Sequence, residues 1–153
     1  MVEAIPKGFH SVTPDLVVKG ASNAIEFYKR AFGAVENYRH NSPDGNSIVH
    51  AELKIGDSIV MLSAEFAHGD MKGCRSPLHI YTEDVDKAFN QAVAAGANVT
   101  MPLMDMFWGD RYGQLEDPFG HFWSIATHKQ DLIPEQVEKA GADMLKKMMS
   151  ARE

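Results

Sequence analysis

The strongest constraint on this chain is that it repeats itself. Ala24 is matched by Ala88 sixty-four positions on, Gly33 by Gly96 sixty-three on, and Gly56 by Gly120 sixty-four on. Around each triplet the same order of patterns recurs. Val12 to Val18 has the short apolar character of a buried strand, and Ser22 offers an N-cap for a helix carrying Ala24, Ile25, Phe27, Tyr28, Ala31 and Phe32 at helical spacing. Gly33 stops that helix, and strands follow over Val35 to Arg39, Ile48 to Lys54 and Ser58 to Ser63, joined by Ser42-Pro43-Asp44-Gly45-Asn46 and Gly56-Asp57. The second half predicts a strand over Leu78 to Tyr81, an acidic cap at Glu83-Asp84, and a helix through Val85, Ala88, Phe89, Ala92 and Val93 that stops at Gly96. Strands over Val99 to Leu103, Tyr112 to Glu116 and Phe122 to Thr127 complete it. A duplicated βαβββ unit accounts for the constant offset.

The expected architecture is therefore α+β within a single domain spanning 1–153. The first module occupies about 11–66 and the second about 76–128, with a C-terminal helix over about 133–150. Ala64 to Ser76, with Gly69 and Gly73 and little periodicity, is the expected linker. In the C-terminal segment Pro134 opens a helix with Val137, Met144, Leu145 and Met148 on one stripe, a pattern that suits core or dimer packing.

Composition removes whole classes of function. The 153 residues carry a net charge of -6 from scattered acidic residues, which argues against nucleic acid or an anionic membrane surface as partner. No apolar run approaches the length of a membrane span. The single Cys74 forms no disulfide within the chain, and Met1 to His10 lacks the pattern of a secretory leader, so a cytoplasmic location is expected. Lys72 and Arg75 flank Cys74 and could lower its pKa, although a spectator thiol accounts for it as well. No nucleophile elbow, P-loop or dinucleotide fingerprint is present.

Several short motifs in order carry a resemblance. Ala24-Ile25-Glu26-Phe27-Tyr28 through Phe32-Gly33-Ala34, His50-Ala51-Glu52-Leu53, Gly56-Asp57-Ser58, Glu83-Asp84-Val85-Asp86, Ala95-Gly96-Ala97 and Asp117-Pro118-Phe119-Gly120-His121 succeed one another. Together, from about Val12 to His128, they resemble the vicinal-oxygen-chelate superfamily of glyoxalases, extradiol dioxygenases and bleomycin-resistance proteins, and within it the PhnB-like branch. The resemblance implies two βαβββ modules whose mixed sheets curl into a cup, with helices outside and ligand inside. Metal enzymes of that superfamily draw ligands from the first and last strands of each module. Those positions fall here on Thr13, Met61, Pro77 and Ser124, which make a poor divalent site because such sites need several imidazole or carboxylate donors together. A two-residue offset would bring His79 to the third position. No cofactor is therefore expected.

Strand alternation gives the expected cup-facing set. With Thr13 facing inward, Asp15 and Val17 follow, as do Ile59, Met61 and Ser63 on a later strand and Phe122 and Ser124 on the last. Val49, Ala51 and Leu53 form the apolar face of their strand, which leaves His50 and Glu52 facing the cup, either satisfying each other or contacting a ligand. Trp108 and Tyr112 flank Gly109-Asp110-Arg111 and could form an aromatic lid with Arg111 as anion anchor, or Arg111 could pair with Asp110 or Glu116. The candidate ligand-binding residues are thus Thr13, Asp15, His50, Glu52, Met61, His79, Trp108, Arg111, Tyr112, Phe122 and Ser124. The expected function is metal-independent binding of a small organic ligand by a homodimer of the bleomycin-resistance type. The alternative is an enzyme, lyase or dioxygenase-like, using a non-standard metal set such as His50, Glu52 and His79 or His50 as general base oriented by Glu52. A third possibility is an interaction module whose cup is filled by its own side chains.

Overall fold

The computed structural model describes residues 4–65 and 76–150, with side chains described as far as residue 144. Cys74 and most of the expected linker lie outside the described residues, as do the side chains of Leu145 and Met148. The element order is β1 Asp15–Val18, α1 Ala21–Phe32, β2 Val35–Asn41, β3 Ile48–Ile55, β4 Ser58–Ala64, β5 Leu78–Tyr81, α2 Val85–Ala95, β6 Asn98–Asp105, β7 Asp110–Glu116, β8 Phe122–His128 and α3 Pro134–Ser150. Strands group into two four-stranded mixed sheets of identical order, β1-β4-β3-β2 and β5-β8-β7-β6. In each, the first strand runs parallel to the last, and the other pairs are antiparallel. The repeat in the sequence is thus a repeat in the fold. The two sheets do not close into one barrel.

Helix α1 shows why the modules hold together. Its apolar stripe, Ala24, Ile25, Phe27, Tyr28 and Ala31, is buried, and each large side chain there contributes about 1.5–3 kcal/mol. Part of that burial is against the other module: Phe32 lies 4.4 Å from Trp123 between ring centroids, Tyr28 lies 5.5 Å from Trp123, and Phe27 lies 5.9 Å from Phe119. Helices α1 and α2 pack on each other, and the Gln91 side chain donates to the Arg30 carbonyl at 2.9 Å. The helix layer is therefore the seam between the modules.

Several local expectations are corrected. Ser22 does not cap α1; the helix begins at Ala21, and Gly20 occupies the cap position at φ 76°, a left-handed conformation that suits glycine, without a side-chain bond. Asp84 does cap α2, accepting from the Lys87 backbone N–H. Strand β1 starts at Asp15, and Val12 before it is 86% exposed. On β3, Ile48 joins Ala51 and Leu53 in the core, whereas Val49 does not. The pairing runs His40 with His50 and then Asn41 with Ile48, so Val49 is the extra residue of a bulge, and the alternation slips by one there.

Candidate ligand-binding face

Inner and outer faces follow strand parity. Leu16 and Val18 of β1, Val60 and Leu62 of β4, and Trp123 and Ile125 of β8 belong to the core under the helices. Asp15, Met61, His79 and Ser124 point the other way. The ladder sets Asp15 opposite Met61 and His79 opposite Ser124, so Thr13 and Pro77 lie two residues ahead of the positions that face the last strands. Thr13 donates its hydroxyl to the His10 carbonyl at 3.0 Å.

The inner face of the second module gathers most of the polar and aromatic groups. His79 Nδ1 shares a 2.7 Å hydrogen bond with Ser124 Oγ. The imidazole stacks on Tyr112 at 5.8 Å and 18° and meets Tyr81 edge-on at 4.4 Å. Tyr112 continues to Trp108 at 5.4 Å and accepts from Gln114 Nε2 at 2.7 Å. Partial desolvation of the ring lowers the His79 pKa, only partly offset by the charge of Asp110, and so favours the neutral form although the residue as a whole is exposed.

Beneath these rings lies Asp110, 3% exposed. Its Oδ2 accepts from the Tyr81 hydroxyl at 3.0 Å and from Trp108 Nε1 at 3.1 Å, and its Oδ1 lies 2.7 Å from His128 Nδ1. Burial opposes the charged form of Asp110, but the bonds from His128, Tyr81 and Trp108 outweigh it and hold the carboxyl below its ordinary value. His128 also reaches Asp131 at 3.0 Å, and its pKa is raised by Asp131 and then Asp110. The intervening loop is held by Gly109, where φ is +99° and an added Cβ would stand 2.3 Å from the Gln130 carbonyl oxygen, so only glycine fits. Sequence reasoning passed over Tyr81, Asp110, Gln114 and His128 as inward-facing residues. The parity applied to Ser124 reaches His128 directly, and across the ladders it reaches Gln114, Tyr81 and Asp110.

A cleft of about 630 Å³ runs between the modules, lined by Thr13, Pro14, Ser58 and Ile59 on one side and by His79 and Tyr81 on the other. A smaller hollow of about 230 Å³ lies by Gln114, Phe122 and Ser124. His50 and Glu52 share the inner face of the first sheet, Nε2 3.6 Å from Oε1, but neither lines the cleft. Arg111 is not a lid residue. It lies on the helix side of β7, in the same parity as Gly113 and Leu115, and makes a bidentate pair with Asp86 at 2.7 and 2.8 Å and a 3.4 Å contact with Asp105. Its partners come from α2 and β6 rather than from Asp110 or Glu116.

The donor set does not fit a divalent metal. Asp15 and His79 are single donors in separate modules, opposite a thioether and a hydroxyl, and His79 Nδ1 is already engaged. Among the described residues no three His, Cys, Asp or Glu side chains are grouped to hold an ion.

Comparison with known proteins gives the family. The sequence model of the Glyoxalase/Bleomycin resistance protein/Dioxygenase superfamily matches residues 8–125. The chain belongs to that superfamily. It is 37% identical over 139 residues to an uncharacterised protein of Mycobacterium tuberculosis, covering 85% of this chain and 81% of that one. TioX from Micromonospora sp. ML1 has a similar structure, at a TM-score of 0.62 and 26% identity over 81% of this chain and all of TioX. A PhnB protein from Bacillus cereus, 19% identical, shares the fold at a TM-score of 0.63 over 77% of this chain and 99% of its own. No helix among the described residues is long and apolar enough to cross a membrane.

Proposed function

We propose that this chain is a metal-independent small-molecule binding protein of the superfamily, cytoplasmic and homodimeric, that captures a small organic ligand on the inner face of its second module. The observation that carries this reading is the His79–Ser124 pair. An uncharged imidazole, fixed by a serine hydroxyl and framed by Tyr81 and Tyr112, opens on a cleft large enough for a small ligand. Such a face offers stacking area with a few fixed polar groups, which is what selective capture needs. Thr13, Met61 and Phe122 would add apolar or weakly polar contact at its margins. Dimerisation is supported by the sheet edges, since the outer strands β1 and β2 of one sheet and β5 and β6 of the other are each hydrogen-bonded to a neighbour on one side only.

The test is binding by protein stripped with a chelator, followed by native mass spectrometry against a library of small organic compounds. The reading expects retention of a compound by the stripped protein. Elemental analysis showing about one tightly held metal per chain, with binding lost on its removal, would overturn it.

A second reading is supported by the His50–Glu52 contact at 3.6 Å: an enzyme using His50 as general base with Glu52 orienting it. Turnover of a compound that the protein binds, abolished by His50→Ala, would move that reading to first place.

A further inference from the structure

Four aromatic rings on the second module are linked in one chain. Tyr81 meets His79 at 4.4 Å, His79 stacks on Tyr112 at 5.8 Å, and Tyr112 meets Trp108 at 5.4 Å. The first and fourth of these rings, Tyr81 and Trp108, donate their only polar side-chain hydrogens to the same oxygen, Oδ2 of buried Asp110, and Phe107 meets Trp108 edge-on at 5.0 Å beyond them. From this geometry we infer that the wall recognises an organic cation, a protonated or quaternary amine seated against the Tyr81 and Trp108 rings. The inference rests on the capture reading above and names the chemical class of its ligand.

Three features favour a positive ligand over a neutral or anionic one. A ring whose O–H or N–H points at a carboxylate gains electron density on its face, and the face of an aromatic ring is already where a cation is attracted. Asp110 is also a source of negative potential, and none of its three hydrogen-bond donors is a lysine or arginine. His128 bonds its other oxygen and is itself shared with Asp131, so the three groups together remain net negative even when the imidazole is charged. Finally, His79, whose charged form would repel a cation, is bonded to Ser124 Oγ, and partial desolvation lowers its pKa and disfavours that charged form. The arginine nearest in sequence, Arg111, is held on the other side of the sheet by Asp86. Tyr81 is 64% exposed, so one end of the wall is open to a ligand.

The experiment titrates choline chloride against the full chain and, in parallel, 3,3-dimethylbutan-1-ol, which has the same shape without the charge. The chain has two tryptophans, Trp108 and Trp123, so the indole N–H resonances report directly. Choline is expected to move the Trp108 resonance and leave the buried Trp123 unmoved, with an affinity about five- to thirty-fold above that of the alcohol, the range one partly desolvated cation–π contact supplies. Tyr81→Leu should abolish the preference. Tyr81→Phe, which keeps the ring but releases Asp110, should reduce it, and so should Asp110→Asn where that variant melts like the parent. Equal binding of choline and the alcohol, with the Trp108 resonance moving for both, would overturn the cation assignment while leaving small-molecule capture intact. Binding of choline unchanged by Tyr81→Leu would also overturn it. No response to choline overturns the inference, and the capture reading falls with it only if the wider compound library also finds nothing at this face.

Discussion

The Tyr28 hydroxyl donates a 2.8 Å hydrogen bond to Asp117 Oδ2, tying α1 of the first module to the β7–β8 turn of the second. Asp117 also accepts from Trp123 Nε1 at 2.9 Å and from the backbone N–H groups of Phe119 and His121. One buried carboxylate therefore closes its own turn and clamps the aromatic seam. Burial, then the charge and hydrogen bond of Asp117, raise the Tyr28 pKa well above the ordinary phenol value, so the hydroxyl stays a donor across the working pH range. Replacing Tyr28 by Phe should cost about 1.5–3 kcal/mol, the worth of a buried hydrogen bond to a charged group. Urea denaturation measures it, and ligand capture should be unchanged.

The two histidines on the inner faces should separate in their effects. His79→Ala is expected to weaken capture by about 1–3 kcal/mol through loss of a fixed polar contact. His50→Ala should change stability by no more than about 0.5 kcal/mol, because its contact with Glu52 is half-exposed and long. It should also weaken capture less than His79→Ala. Calorimetric titration of both variants with one retained compound decides the order, and a larger loss from His50→Ala would return the site to the first sheet.

His128 predicts a pH dependence of known sign. Its pKa is raised in the folded chain by Asp131 and Asp110, so the stability it contributes is fully present below the ordinary histidine value of about 6.5 and is lost as pH rises through the raised value. His79 acts in the opposite sense: its pKa is lowered, so acidification below about 6.5 charges the unfolded chain first and destabilises the fold. Comparing the parent with His128→Ala isolates the first effect. The stability difference between them should shrink as pH rises above neutrality, and a difference independent of pH would contradict the assignment.

The unpaired edges of the two sheets, at β1, β2, β5 and β6, predict association. Static light scattering at micromolar concentration should report about twice the 16.9 kDa chain mass. A monomer at that concentration would contradict the homodimer.

Much of this fold is legible in the sequence. The duplicated offset reached both sheets, and alternation from Thr13 and Ser124 assigned the inner faces of β1, β4 and β8. What escaped it has physical causes. Alternation cannot register a two-for-one bulge, so it puts Val49 in the core where Ile48 sits. Arg111 finds its partner Asp86 twenty-five residues away on a helix, which no local pattern contains. The local pattern offers Asp110 only as a partner for Arg111, although the two-residue step from Tyr112 puts it on the face opposite Arg111, with Trp108 and Tyr81 as donors.

The central claim is that a small organic ligand is captured on the second module's inner face without metal. It is tested most directly by backbone and indole amide spectra of chelator-stripped protein, recorded with and without a compound retained in native mass spectrometry. The account predicts shifts that converge on His79, Tyr81, Trp108, Tyr112 and Ser124 while the protein remains metal-free. Shifts confined to the first sheet around His50 and Glu52, or appearing only after a divalent ion is restored, would contradict it.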